Sequence, residues 1–187
     1  MNEIEKVLQK LRDTKALEFG VGALKKVPSM FEKFFPDEYL GSTYKIPFEK
    51  LYEQGYRGVI FDIDNTLVPH GAPADERAKR LFQRLREIGF ESCLLSNNQK
   101  KRVEMFNQEI QTHYIYNALK PARKNYLHAM EIMGTDQTNT LFVGDQLFTD
   151  VWCGNQRCEK INAAIVYNVT YTRTLRYGIY IHGSFLR

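Results

Sequence analysis

The stretch that decides the reading is GVIFDIDNTLVPH, residues 58–70. Gly58, Val59, Ile60 and Phe61 form the short apolar run expected of a strand buried on both faces. The run stops on Asp62 and Asp64, followed by Asn65, Thr66 and Leu67. Two carboxylates so placed at a strand terminus raise each other's pKa unless a cation is present. A sequence that holds such a pair there needs a chemical reason for it.

Working outward toward the C-terminus, strand and helix signals alternate. Pro73 and Asp75 open a helix whose apolar face is Ala78, Leu81, Phe82, Leu85 and Ile88, with Gly89 as its stop. FESCLLSNN, residues 90–98, reads as a second strand, and residues 99–110 as a helix with Val103, Phe106 and Ile110 in register. Residues 113–118 read as a short third strand. Lys120-Pro121 starts the next helix, with Pro121 in its first turn, an apolar face of Ala122, Tyr126, Leu127, Met130 and Met133, and Gly134 as stop. NTLFVGD, residues 139–145, is a fourth strand and residues 163–169 a fifth. This alternation with short connections predicts an α/β fold, a Rossmann-like parallel sheet with helices on both faces. Ligands bind such sheets at the carboxyl ends of the strands. The polar residues gather there: Asp62 and Asp64, then Ser96, Asn97 and Asn98, then Lys120, then Asp145 with Asp150 behind it.

Toward the N-terminus, residues 1–45 show no strand-like alternation. Ile4, Val7, Leu8 and Leu11 fall on one helical face, and Val21, Leu24, Val27, Met30, Phe31, Phe34 and Phe35 follow, interrupted by Pro28 and Pro36. The expectation is a helical N-terminal extension over 1–45, a catalytic domain over 46–169 and a basic tail over 170–187. After Glu159 there is no acidic residue, while Lys160, Arg173, Arg176 and Arg187 are interleaved with Tyr167, Tyr171, Tyr177 and Tyr180. Such a tail suits phosphates or anionic lipid head groups.

Composition bounds the class. With 43% hydrophobic and 26% charged residues in 187, this is the make-up of a globular domain with its own core. No apolar run reaches the ~18–20 residues needed to span a bilayer, and MNEIEKVLQKLRD has charges where a signal peptide has an apolar stretch. Cys93, Cys153 and Cys158 are odd in number and lack paired metal-ligand spacing, which fits a reducing compartment. The expected location is the cytoplasm, with peripheral contact at the inner face of the membrane.

The strand-end cluster has a coherent chemistry. Asp62, Asp64 and Asp145 make a strongly anionic site, which Mg²⁺ relieves as a hard cation that takes carboxylate oxygens. Mg²⁺ also brings in phosphate, for which Lys120 supplies a second positive charge and Ser96 a donor. An aspartate nucleophile splits one hard phosphoryl transfer into two easier steps.

DIDNT, residues 62–66, resembles motif I of the haloacid dehalogenase superfamily, whose pattern is DxDx[TV]. Ser96 resembles motif II, Lys120 motif III, and GDQLFTD, residues 144–150, motif IV. The resemblance covers residues 56–155, in order and on strand ends. It implies that Asp62 is the nucleophile and a Mg²⁺ ligand, and that Asp64 protonates the leaving oxygen and then activates water. It also implies that the Asp64 carbonyl and Asp145 ligate the metal, that Ser96, Asn97 and Lys120 bind phosphate, that Thr66 holds the loop, and that Asp150 supports the site. Asn65 departs from the glycine common at its place in the superfamily, and the stretch after residue 155 is less regular than the final strand and helix the resemblance implies.

Only one turn and one helix separate Asp64 from Ser96, and one helix and a strand separate Ser96 from Lys120. No cap domain fits there. A capless site suits a substrate that brings its own surface. Residues 34–70, together with GDQLFTDVWCGN at 144–155, resemble the YqeG-type phosphatases of subclass IIIA, which are similar to mitochondrial phosphatidylglycerophosphate phosphatases. That implies a phosphorylated substrate that is an anionic phospholipid, with peripheral membrane contact through Phe31, Phe34, Phe35 and the basic tail. No nucleic-acid or protein partner is expected. The alternatives are a phosphatase of soluble sugar or nucleotide phosphates and a phospho-accepting signalling module. Asp64 argues against the module, because storing a phosphoryl group needs no second acid/base carboxylate.

Overall fold

The structure, a computed structural model, describes residues 38–145 and 162–166. The sheet has six strands in the order β1-β6-β5-β2-β3-β4. They are β1 (Glu38–Leu40), β2 (Gly58–Phe61), β3 (Glu91–Leu95), β4 (His113–Ile115), β5 (Thr140–Gly144) and β6 (Asn162–Val166). Every pairing is parallel. Four helices belong to the described residues: α1 (Phe48–Glu53), α2 (Glu76–Ile88), α3 (Lys100–Ile110) and α4 (Lys124–Met133).

The core divides across the sheet, as the alternation along β2 requires. Val59, Phe61 and Ile63 pack on one face with Phe48 and Leu51 of α1, Leu81, Phe82 and Leu85 of α2, and Val103, Phe106 and Ile110 of α3. Ile60 points to the other face with Cys93, Leu95, Phe142 and, from α4, Tyr126, Ala129, Met130 and Met133. Phe61 stands between two rings, its centroid 6.3 Å from Phe48 and 5.3 Å from Phe82. Each such large side chain contributes about 1.5–3 kcal/mol on burial.

Local signals fix the helix ends where they are strong. Asp75 caps α2 by accepting from Ala78 N at 2.8 Å. Gly89 ends it at φ 103, a left-handed conformation that glycine adopts without a Cβ penalty. No cap domain is inserted between β2 and β3 or between β3 and α4.

Three expectations are corrected. Glu38–Leu40 forms an edge strand paired with β6, inside the segment expected to be helical. A three-residue parallel edge strand carries too few residues for a period to show. The last helix begins at Lys124, not at Lys120-Pro121, whose peptide bond is cis. The backbone of Lys120 is bonded to Asn97 instead of opening a helix. Within α4, Leu127 is 40% exposed and Ala129 takes the buried place, since Tyr126, Ala129, Met130 and Met133 form the inward stripe. The remaining expectations for the N-terminal extension and the basic tail fall on residues 1–37 and 167–187, outside the described residues.

Candidate active site

The site forms where the strand order reverses. β2, β3 and β4 step one way across the sheet, and β5 then lies on the other side of β2. In a parallel sheet this leaves a crevice at the carboxyl ends. Phe61 is level with Val143 of β5 and Leu94 of β3. Asp62 therefore follows β2 beside Asp145 at the end of β5 and Ser96 at the end of β3. Asp62 N donates to Val143 O at 2.9 Å, so the sheet ladder itself carries this carboxylate. Asp62, Asp64, Ser96, Lys120 and Asp145 are all buried. Burial of so many polar groups in one place is costly unless each is paired.

Lys120 approaches from the β4–α4 connection. Its Nζ donates to Asp62 Oδ1 at 2.5 Å. Asn97 holds the lysine in place by its backbone: Lys120 N donates to Asn97 Oδ1 at 2.7 Å, and Asn97 Nδ2 donates to Lys120 O at 3.2 Å. Both ends of its amide are engaged with Lys120.

Asp64 turns elsewhere. Beyond Ile63 the chain leaves the extended form, with Leu67 N donating back to Ile63 O at 2.9 Å. Oδ1 of Asp64 accepts from Gly71 N at 2.8 Å and from Arg102 Nη2 at 2.7 Å. Oδ2 accepts from Asn98 Nδ2 at 2.6 Å. Burial pushes the Asp64 carboxyl up, yet Arg102, Gly71 and Asn98 together hold it below its ordinary value. In the free protein Asp64 is thus ionised at neutral pH.

Asn98 links the two strand ends. Its amide gives one hydrogen to Asp64 and the other to Ser96 Oγ at 2.9 Å. Ser96 Oγ also accepts from Asn98 N at 3.2 Å. With both lone pairs engaged, the Ser96 hydroxyl has its own hydrogen to give to an incoming oxygen. Neither Asn97 nor Asn98 caps α3; Gln99 occupies the cap.

The loop after β2 is braced from outside the motif. Thr43 Oγ1 donates to Thr66 O at 2.7 Å and Tyr44 Oη to Leu67 O at 2.6 Å. Thr66 is held through its carbonyl, and its buried Oγ1 has no hydrogen-bond partner among the described residues. Asn65 sits at φ 62, left-handed backbone that asparagine tolerates better than most side chains. This explains how asparagine stands where glycine is common. Asp150 lies outside the described residues.

Reading the sequence missed Arg102, Gly71, Thr43 and Tyr44. For Arg102 a signal existed. Among Lys100, Lys101 and Arg102, only Arg102 falls four residues before core Phe106, so helical register brings it alone against the domain. Thr43 and Tyr44 act across long sequence separation and carried no local signal.

As a metal centre the site offers oxygen donors alone: the Asp62 and Asp145 carboxylates at adjacent strand ends, which suit a hard cation. Among the described residues no three His, Cys, Asp or Glu side chains lie close enough to share a metal. The Asp64 carboxylate is directed at Arg102, so its contribution would come from the main chain.

No family model matches the chain. Over 129 residues it is 38% identical to the "Probable phosphatase YqeG" of Bacillus subtilis (strain 168), covering 68% of this chain and 75% of that protein. An uncharacterised protein from Listeria monocytogenes serotype 4b superposes with TM-score 0.50 at 15% identity, over 66% of this chain and 86% of its own, a likeness of fold. A candidate HAD family hydrolase from Streptomyces avermitilis MA-4680 gives TM-score 0.49 at 14% identity, over 63% and 77%. With a relative this similar along most of both chains, the protein belongs to the YqeG family of phosphatases.

Proposed function

We propose that the protein hydrolyses phosphomonoesters in two steps, carrying the phosphoryl group on Asp62, and that its substrate is an anionic phospholipid such as phosphatidylglycerophosphate. The observation that carries the mechanism is the different partnering of two carboxylates in one motif. Asp62 lies on Lys120, the charge that would meet a phosphate, while Asp64 is bonded to Arg102 and Asn98.

In the first step an Asp62 carboxylate oxygen attacks phosphorus, the ester O–P bond breaks, and the leaving oxygen takes a proton from Asp64. In the second, water attacks the phosphoryl group on Asp62 and gives its proton to Asp64. The P–O bond to Asp62 breaks, and inorganic phosphate leaves. The ionised form of Asp64 is the one the second step needs. An incoming phosphate dianion adds negative charge to the pocket and so favours the protonated form that the first step needs. Lys120 and the Ser96 hydroxyl would hold the phosphoryl oxygens, where charge is carried in the transfer. Mg²⁺, held by the carboxylates of Asp62 and Asp145 and the Asp64 carbonyl, would supply charge neutralisation for the phosphate.

The lipid reading is supported by the absence of a cap and by an exposed leucine. Leu119, next to Lys120, is 72% exposed at φ 51, an uncommon conformation for leucine. An exposed apolar side chain next to the phosphate-binding lysine in the chain would suit contact with a lipid surface. Among the described residues no helix is long and apolar enough to cross a membrane, so such contact would be peripheral.

The test is phosphate release with Mg²⁺ from phosphatidylglycerophosphate in mixed micelles, run beside soluble sugar and nucleotide phosphates, with Asp62→Asn as blank. Preference for the lipid, dependent on micelle surface, is the expected result. Preference for a soluble ester would keep the chemistry and overturn the lipid assignment.

A further inference from the structure

We propose that Arg102 is a positioning residue for the reaction: it fixes the Asp64 carboxylate so that Oδ2 is the oxygen that passes the proton. The proposal rests on the reading of Asp64 as acid/base given above.

The hydrogen-bond inventory of Asp64 supplies the argument. A carboxylate oxygen has two lone pairs. On Oδ1 both are taken, by Gly71 N and by Arg102 Nη2. Oδ2 accepts only from Asn98 Nδ2 among the described residues. His70 Nδ1, at 3.8 Å, stands beyond hydrogen-bonding distance. One lone pair on Oδ2 remains for the proton that goes to the leaving oxygen in the first step and comes from water in the second.

Arg102 is placed as a residue serving this carboxylate and not the fold. Its side chain is 14% exposed, with the guanidinium 5.8 Å from the Phe106 ring centroid. Among the described residues its Nε and Nη1 are buried and have no acceptor. A guanidinium buried to bind the domain together would engage its other donors as well. Here the one acceptor is Asp64. Lysine cannot reproduce the arrangement, since its charge sits on a flexible stem with no planar fork. The Asn98 amide, shared between Oδ2 and Ser96 Oγ, would then couple the proton-bearing oxygen to the phosphate-facing hydroxyl.

The test compares leaving groups. Unsubstituted phenyl phosphate needs a proton on departure far more than p-nitrophenyl phosphate does, so help from Asp64 shows on the former. Arg102→Gln and Arg102→Lys are assayed on both esters beside wild type, Asp62→Asn, Asp64→Asn and the double variant Asp64→Asn/Arg102→Gln. Thermal melts confirm folding, and Arg102→Lys keeps charge and length should the glutamine variant fail to fold. The expected result is a loss in kcat/KM, which reports the leaving-group step alone, of about 10²-fold on phenyl phosphate, within the range acid–base catalysis supplies. On p-nitrophenyl phosphate the loss should be less than about tenfold, and Arg102→Gln should add nothing to Asp64→Asn. Equal losses on both esters, or a full additional loss in the double variant, would overturn the positioning role alone. Wild type no better than Asp62→Asn on either ester would overturn the reading of the site, and the proposal with it.

Discussion

Asp62 and Asp64 stand in one short stretch of chain, yet their surroundings differ in kind. Asp62 ends a strand, is fixed by the sheet ladder and faces the ammonium of Lys120, a point charge with flexible reach. Asp64 stands at the start of a turn, where Arg102, Asn98 and Gly71 surround it with directional donors. The lysine can yield to an incoming phosphate and still hold it by charge. The donors around Asp64 define orientation, as a group that must transfer a proton at one atom requires. The difference teaches that a motif of two like carboxylates can encode two tasks, provided separate elements supply the partners: the β4–α4 connection for one, the β3–α3 segment for the other.

The largest effect should come from Asp62→Asn. Phosphate release is expected to fall by a factor on the order of 10³ or more, with the circular-dichroism spectrum unchanged. A variant retaining a tenth of the activity would break the comparison at its first member. Asp64→Asn should cost about 10²–10⁴-fold, and if the second step suffers more, phosphorylated protein should accumulate in rapid-quench samples. An effect as slight as a surface substitution would make the two carboxylates' separate surroundings meaningless.

Lys120→Met tests whether the buried pair serves the fold. Removing one partner leaves a buried charge uncompensated, so urea denaturation should show a loss of about 3–5 kcal/mol. Asp62→Asn/Lys120→Met should recover most of that stability without recovering turnover, because a buried pair replaced as a unit is often neutral. The exposed pair between Glu49 of α1 and Arg84 of α2 sets the lower bound. The Arg84 hydrogen bond holds the Glu49 carboxyl below its usual value. Its contribution is therefore present above about pH 4.3 and lost as pH falls through the lowered value. Glu49→Gln should cost under about 1 kcal/mol at pH 7 and nothing at pH 2, read from urea midpoints.

Much of the fold was legible because period and punctuation agreed. Asp75 and Gly89 bracket α2, Gly134 ends α4, and the apolar runs at Val59–Phe61 and Leu141–Val143 pair in the centre of the sheet. What escaped had weak or contrary local signals. Pro121 looks like a helix start, but the Asn97 amide claims the neighbouring backbone, and tertiary bonding overrode position. Glu38–Leu40 is too short for alternation to declare itself. Within the site, Asp62, Ser96, Lys120 and Asp145 were readable as polar ends of strands. Arg102 was not, since a basic residue beside two other basic residues looks like a solvated face until helical register is applied. The hold of the Asn97 side chain on the Lys120 backbone spans 23 residues and had no local signal.

The most direct test of the central claim is to find the phosphoryl group. The full chain is mixed with a turned-over phosphomonoester and Mg²⁺, quenched in acid within milliseconds, digested and analysed by peptide mass spectrometry. The expected result is one phosphoryl group on the peptide containing Asp62, absent from Asp62→Asn. Sustained turnover with no protein-bound phosphate at any quench time, or a phosphoryl group on another residue, would contradict the account.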